Sequence, residues 1–170
     1  MSNRIYNFSA GPATMPEESL LKAQSEMLNY KGYGMSIMEM SHRSSVFESV
    51  LETAKSNIIK LLNVPSTHDV LFVQGGASLQ FSMVPMNLKD DNHPAFLINT
   101  GSWTKKALKE IKKETSCNII ASSESSNFME LPSINNDVFN QSSSFVYLCS
   151  NNTIFGTQFK VFPNTQNSPL

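Results

Sequence analysis

Three short polar segments each follow a run of apolar residues, and their side chains and backbone groups could together bind one ligand. These segments span residues 74–78, 100–103 and 150–153. Because ligands of an open α/β sheet bind outside the carboxyl ends of its strands, the three loops could meet at one edge. The first offers backbone N–H groups to an anion, the second an aromatic face, and the third hydroxyl and amide groups. This combination favours a flat, anionic ligand such as a phosphorylated heteroaromatic cofactor.

The glycine-rich loop, Gly75-Gly76-Ala77-Ser78, lies between a predicted strand and a predicted helix. Small residues let backbone N–H groups approach a phosphate, and a helix N-terminus adds positive potential there. The Ser78 hydroxyl could add one more hydrogen bond. The pattern matches neither the dinucleotide nor the nucleoside-triphosphate fingerprint. By itself, a plain tight turn is an equally good interpretation.

Three further side chains could recognise a ligand: Trp103, Arg43 and His42. Trp103 is the only tryptophan, and it could stack on a planar ring or be an ordinary core or interface aromatic. Arg43 could grip a carboxylate or phosphate through two hydrogen bonds, or it could form a surface salt bridge. His42 is most simply its structural neighbour. Residues 151–153 could present side chains to a cofactor or make an ordinary turn.

Composition and charge exclude several classes of function. The net charge of −1 provides no basic field for nucleic acid. No stretch is long and apolar enough to cross a membrane, and the N-terminus lacks the apolar core of a signal peptide. Cys117 and Cys149 are predicted to be buried and reduced, as in a cytoplasmic protein, rather than paired in a disulfide or bound to a metal.

The elements that would position these residues alternate between strand and helix. Short apolar runs predict four strands, at 70–73, 95–98, 118–121 and 145–148. Helical spacing predicts helices that start at Pro16, at a Ser45–Glu48 capping box, at Ser78 and near 104. Continuous apolar strands that alternate with helices are typical of an α/β fold, with a largely parallel sheet covered on both faces.

The predicted domain organisation is an irregular N-terminal arm over 1–15 followed by an incomplete large domain over 16–170. A sheet that has just received a strand at 145–148 would normally continue, yet no closing element follows. We therefore expect an apparently truncated domain with an unpaired strand edge and exposed apolar surface, which would favour self-association.

Five segments of this chain resemble the phosphoserine aminotransferase family, class-V members of the fold-type-I pyridoxal-phosphate enzymes. The order and spacing of the segments match the family's N-terminal half. They are residues 7–13 (NFSAGPA), 38–43 (MEMSHR), 73–81 (VQGGASLQF), 100–103 (TGSW) and 150–157 (SNNTIFGT). The resemblance implies the large, mostly parallel-sheet domain of that fold and pyridoxal 5'-phosphate as cofactor.

The resemblance also implies a role for individual residues. Arg43, with His42 beside it, would bind the acidic substrate in its own or the neighbouring subunit's site. The backbone N–H groups of Ala77 and Ser78 would hold the cofactor phosphate. Some family members carry an arginine at the position of Ser78 that contacts the substrate phosphate, so this chain departs from them there. Trp103 would stack on the pyridine ring, and Thr153 would bond to the polar edge of the cofactor.

The implied reaction converts glutamate and 3-phosphohydroxypyruvate to 2-oxoglutarate and O-phosphoserine, a step of serine biosynthesis, in a cytoplasmic homodimer. A related phosphorylated substrate of pyridoxine biosynthesis is an alternative. The family's Schiff-base lysine and the aspartate at the ring nitrogen lie beyond the segment matched here, so the isolated chain is predicted to be inactive. Rival interpretations are another fold-type-I aminotransferase, or an inactive pseudo-enzyme or binding module.

Overall fold

The computed structural model of the protein describes residues 4–170, and the chain divides into two units, Met1–Phe72 and Val73–Leu170. Of the predicted arm, residues 1–3 lie outside the described part, and residues 4–15 form neither helix nor strand. No described helix combines the length and the apolar character that a bilayer crossing requires.

Two α-helices form the regular part of the first unit. Helix α1 (Glu17–Glu26) follows Pro16 and carries acidic residues in its first turn, where they favour the positive end of the helix. It buries none of its residues. Helix α2 (Ser45–Leu62) is capped by Ser44, whose Oγ accepts a hydrogen bond from the Phe47 N–H at 3.3 Å. The cap is thus one residue before the predicted Ser45. Short 3₁₀ turns at Tyr30–Gly32 and Ile37–Glu39 lie between the two helices.

The second unit contains the parallel sheet that the sequence predicts. Strand β1 (Ala95–Asn99) lies between β2 (Cys117–Ser122) and the two-residue β3 (Val146–Tyr147), and all three run parallel. Every residue of β1 is buried, which explains the uninterrupted apolar run over its first four residues, 95–98. The other elements of this unit are helices α3 (Gly76–Leu88) and α4 (Ser102–Glu114) and a small antiparallel hairpin of β4 (Asn151–Asn152) and β5 (Thr157–Gln158).

Both faces of the sheet are covered. Successive side chains of β1 point to opposite sides of the sheet, and each set packs against other residues. Ala95 and Leu97 pack on one face with Ala107 and Ile111 of helix α4. On the opposite face, Phe96 and Ile98 pack with other residues of the second unit: Phe139, Val146 and Phe159. The doubly covered α/β arrangement is therefore confirmed for this part of the chain.

Helices α3 and α4 run in the same direction. The Ser82 hydroxyl donates to Glu110 Oε2 at 3.1 Å, and Lys89 Nζ pairs with Glu114 Oε2 at 3.0 Å. The later residue in the α3 segment thus contacts the later residue of α4, as parallel helices require. Helix α4 follows β1 after a short turn and therefore begins at the carboxyl end of that strand. The N-termini of both helices consequently lie at the carboxyl edge of the sheet.

The predicted strand at 70–73 is wrong. Residues 70–73 are in irregular backbone, and Leu71, Phe72 and Val73 are 75%, 56% and 53% exposed. A strand exists only through the ladder it makes with a neighbour, and no described residue provides that ladder here. An apolar run indicates that a segment could form a strand, but it does not identify a neighbouring strand with which the segment would pair.

The outer edge of β3 is partly covered. The Phe145 carbonyl points toward β1 and accepts from the Phe96 N–H. The Val146 N–H points away from β1 and donates to the Pro169 carbonyl at 2.8 Å. Beside this edge lies an apolar cavity of about 530 Å³. Its lining includes Val84, Leu88, Phe145, Tyr147, Phe162 and Leu170. The expected apolar surface is present, but residues near the end of the chain pair with the strand edge.

Both cysteines are free thiols and only partly exposed. Burial raises the pKa of the Cys117 thiol to about 11 and also raises the pKa of Cys149. Both side chains are therefore neutral thiols at physiological pH, with little of the thiolate that reacts with oxidants or metals.

Candidate functional site

The turn between β1 and α4 is held by a single hydroxyl group. Thr104 Oγ1 accepts hydrogen bonds from the backbone N–H groups of Thr100 and Gly101, at 3.1 and 3.0 Å. The same hydroxyl donates to Asn99 Oδ1 at 2.9 Å. All four residues are buried. Because the side-chain polar groups of this buried turn all have partners, the turn is a rigid support for the residues that follow it.

Gly101 is required by the close approach of the β4–β5 hairpin. Its φ is +146°, and a Cβ atom there would lie 2.7 Å from Cδ2 and 2.9 Å from Cε2 of the Phe155 ring. Neither the backbone conformation nor the available space suits a residue with a side chain. The glycine thus lets residues 151–158 pack directly against the turn.

Substituting Gly101→Ala is expected to destabilise the second unit by about 1–3 kcal/mol, because Phe155 must move and the backbone is strained. Urea unfolding followed by Trp103 fluorescence measures the loss. The matched control is Gly11→Ala, since Gly11 has an ordinary φ and a methyl group added there would meet no neighbour within 4 Å. Adding Phe155→Ala should recover part of the loss. Equal unfolding midpoints for wild type and Gly101→Ala would contradict this account.

Asn152 connects the hairpin to the same turn from inside the protein. Its Oδ1 accepts a hydrogen bond from Thr100 Oγ1 at 3.1 Å, and its Nδ2 donates to Thr157 Oγ1 at 3.0 Å. The residue is 1% exposed, whereas Asn151 and Thr153 on either side are exposed. Asn152 therefore faces the protein interior, and only its neighbours can face a ligand.

Trp103 and Thr153, two of the predicted site residues, are in direct contact although 50 positions separate them. Trp103 Nε1 donates to Thr153 Oγ1 at 3.0 Å. This bond uses the threonine oxygen as acceptor and leaves its proton available for donation. Lys106 Nζ lies 4.6 Å from the centre of the indole ring in a cation–π contact, so the opposite ring face is the one that can stack on a ligand.

Ala77 and Ser78 lie in the exposed first turn of α3. The first hydrogen bond of this helix runs from the Leu79 N–H to the Gly75 carbonyl, so the N–H groups of residues 76–78 have no partner within the helix. These groups are at the same edge of the sheet as the N-terminus of α4. No hydrogen bond among the described residues joins this turn to Trp103.

Arg43 and His42 belong to the first unit, in an exposed turn just before α2. The Arg43 backbone N–H donates to Ser41 Oγ at 3.2 Å. Within residues 4–170 the guanidinium of Arg43 makes no ion pair. The salt bridge considered as an alternative from the sequence is therefore not formed here, and the substrate-binding role of both residues stays a prediction.

Sequence reasoning missed the inner support of the site. The sequence pattern places Thr104 only in a helix and indicates no role for Glu124. Glu124 accepts from Lys105 Nζ at 2.6 Å and from Asn99 Nδ2 at 3.4 Å, which ties the start of α4 to the end of β2. The four-residue spacing of Thr100 and Thr104 across a glycine was the available signal for a hydroxyl-capped turn.

Comparisons with known proteins place this geometry in a family. The family model described as "Aminotransferase class-V" matches residues 5–165. The phosphoserine aminotransferase of Halalkalibacterium halodurans is 50% identical over 167 residues, covering 98% of this chain and 46% of that protein. That of Geobacillus kaustophilus is 49% identical over 162 residues, covering 95% and 45%. The chain spans about half the length of the curated relatives it matches.

Solved structures agree with the sequence comparison. Phosphoserine aminotransferase from Bacillus circulans subsp. alkalophilus superposes with a TM-score of 0.89 at 47% identity, over 99% of this chain and 46% of that one. A structure of phosphoserine aminotransferase from Trichomonas vaginalis with bound PLP gives a TM-score of 0.83 at 40% identity, over 94% and 45%.

Proposed function

The chain belongs to the class-V aminotransferase family, and on that premise we propose that it supplies a pyridoxal 5'-phosphate site to a phosphoserine aminotransferase. The observation that carries the proposal is the Trp103–Thr153 hydrogen bond of 3.0 Å. It joins an aromatic face and a hydroxyl donor at the carboxyl edge of the sheet, where α/β folds bind their ligands.

The residues at this edge fit the chemistry of the cofactor. The unpaired N–H groups of Ala77 and Ser78 at a helix N-terminus suit a phosphate dianion. The free face of Trp103 suits a flat pyridine ring, and the Thr153 proton suits an oxygen or nitrogen on the rim of that ring. When bound, the cofactor supplies an electron sink for amino-group transfer, and the residues described here hold and orient it.

The proposed substrates are glutamate and 3-phosphohydroxypyruvate, which become 2-oxoglutarate and O-phosphoserine. The names of the relatives support this choice over other fold-type-I aminotransferases. Arg43, with His42 beside it, is proposed to bind the acidic substrate, because an unpaired guanidinium can grip a carboxylate with two parallel hydrogen bonds. A role in serine biosynthesis, with a pyridoxine-pathway substrate as a second possibility, and a cytoplasmic homodimer are parts of the same proposal.

Titration of Trp103 fluorescence with pyridoxal phosphate tests the proposal. Because Trp103 is the only tryptophan, stacking of the cofactor on its ring should quench the emission and reach saturation. Pyridoxal without phosphate should bind about tenfold or more weakly, because it forgoes charge-assisted hydrogen bonds to the helix N-terminus. N-acetyltryptophanamide corrects for light absorbed by the ligand.

Two variants make this test specific. Thr153→Val should weaken quenching by the cofactor, whereas Arg43→Ala should leave it nearly unchanged because Arg43 is assigned to the substrate. Quenching that never saturates, or that is equal for pyridoxal and pyridoxal phosphate, would remove the support for a phosphate-anchored site.

A further inference from the structure

Asn152 is a polar side chain enclosed within the second unit, and the chemistry of the proposed site does not use it. It is 1% exposed, yet both ends of its amide are bonded. Thr100 Oγ1 donates to Oδ1 at 3.1 Å, and Nδ2 donates to Thr157 Oγ1 at 3.0 Å and toward the Thr157 carbonyl at 3.4 Å. A buried amide is retained without penalty only when its donors and acceptor are satisfied, as they are here.

These partners belong to separate elements. Thr100 lies in the turn before α4, Asn152 lies in β4, and Thr157 lies in β5. The amide is therefore bonded at once to the turn and to the opposite strand of the hairpin. The backbone adds to this, because the Asn152 carbonyl accepts from the Gly156 N–H at 2.7 Å. Asn152 fixes where the hairpin lies relative to the turn.

The next residue along the chain is Thr153, and its only hydrogen bond among the described residues is the one from Trp103. Both of these side chains are at least partly exposed, so water competes for their hydrogen bond. The enclosed amide of Asn152 is protected from such competition. Of these two polar links from the hairpin, the Asn152 bond to the turn is therefore stronger than the Thr153 bond to the first turn of α4.

We propose that Asn152 is a positioning residue that places the Thr153 hydroxyl and, through it, sets the orientation of the Trp103 ring. It acts from inside the protein and does not touch the cofactor. The consequence for cofactor binding rests on the proposed function, whereas the orientation of Trp103 does not. The amide is specifically suited, because it presents one acceptor to Thr100 and one donor to Thr157.

The experiment uses Trp103 as a reporter in the protein without cofactor. Asn152→Leu keeps the size of the side chain and removes its hydrogen bonds to Thr100 and Thr157, and Asn151→Leu is the matched exposed control. We expect Asn152→Leu to lower the fluorescence anisotropy of Trp103 and to raise its acrylamide quenching constant about twofold, as Thr153→Val does. Asn151→Leu should match the wild type.

Combining Asn152→Leu with Thr153→Val separates positioning from general stability. If Asn152 acts through Thr153, the double variant should change Trp103 anisotropy no more than either single variant does. Additive changes would overturn the proposal. So would an Asn152→Leu protein that melts at a lower temperature while Trp103 keeps its wild-type anisotropy, because that result describes a purely structural residue.

Thr100→Val provides a milder variant should Asn152→Leu fail to fold. It removes the single donor to Oδ1 and should shift Trp103 anisotropy in the same direction by a smaller amount. An unchanged Trp103 signal in Thr100→Val would also overturn the proposal. In the cofactor titration, loss of the amide should raise the apparent Kd about tenfold. Absence of quenching in the wild type would instead refute the proposed function and leave the anisotropy result standing.

Discussion

A polypeptide of residues 1–170, assayed by itself, should transfer no amino group from glutamate to 3-phosphohydroxypyruvate at any concentration of pyridoxal phosphate. Amino-group transfer by this cofactor requires a protein lysine bonded to it and a partner for its ring nitrogen. The family resemblance places both beyond the segment matched here. Two lysines that follow Trp103 in the chain are otherwise engaged, since Lys105 pairs with Glu124 at 2.6 Å and Lys106 lies over Trp103.

The assay measures 2-oxoglutarate formation with a coupled dehydrogenase, and the Geobacillus kaustophilus phosphoserine aminotransferase serves as the positive control. Turnover above a protein-free blank that is lost in Trp103→Ala would contradict the prediction. The variant Lys106→Met then shows whether the exposed Lys106 had taken the role of the family's Schiff-base lysine. A saturable cofactor titration together with zero turnover is the expected result, in which residues 1–170 hold the cofactor without transferring an amino group.

Ala77→Pro should weaken cofactor binding about a hundredfold, whereas Ser78→Ala should weaken it about tenfold or less. Proline removes one N–H donor from the proposed phosphate site and adds a ring where the phosphate would lie. The helix itself does not use that donor, because its first internal hydrogen bond begins at Leu79. Alanine at position 78 keeps the backbone donor and removes only a hydroxyl, worth about 0.5–1.5 kcal/mol.

Absorbance titration with pyridoxal phosphate measures both affinities, and circular dichroism verifies that α3 is retained in Ala77→Pro. Arg43→Ala is the control from the other unit of the chain, and it should leave cofactor affinity nearly unchanged. In an assembled enzyme, that variant should raise the KM for the acidic substrate. If Arg43→Ala lost cofactor as severely as Ala77→Pro, the assignment of substrate and cofactor residues would be wrong.

The part of the fold that sequence could predict is the part decided by burial. Strand β1 is enclosed on both sides, so its first four residues are all apolar and its position is confirmed within a residue. Residues 70–73 carry the same pattern and form no strand, because pairing depends on a partner that composition does not reveal. Similar patterns in these two segments therefore lead to different structures.

The proximity of Trp103 and Thr153 was predictable for a different reason. Both follow parallel strands, and the carboxyl ends of parallel strands share one edge. The inward orientation of Asn152 was not predictable, because β4 has only two residues and gives no alternation to read. The spacing of Thr100 and Thr104 indicates a hydroxyl-capped turn, but it does not identify which groups the Thr104 hydroxyl binds, since a threonine in the first turn of a helix has several local partners.

The link between Thr100 and Asn152 spans 52 positions of the chain. Closing a loop of that length costs conformational entropy that is recovered only when β3 has docked beside β1. Helix α2, whose backbone hydrogen bonds are local, carries no such requirement. The proposed cofactor edge should accordingly be among the last features to form during refolding, and Trp103 emission should reach its native value in the slowest phase that stopped-flow fluorescence detects. A ligand specific for this edge would then bind only molecules that have finished folding.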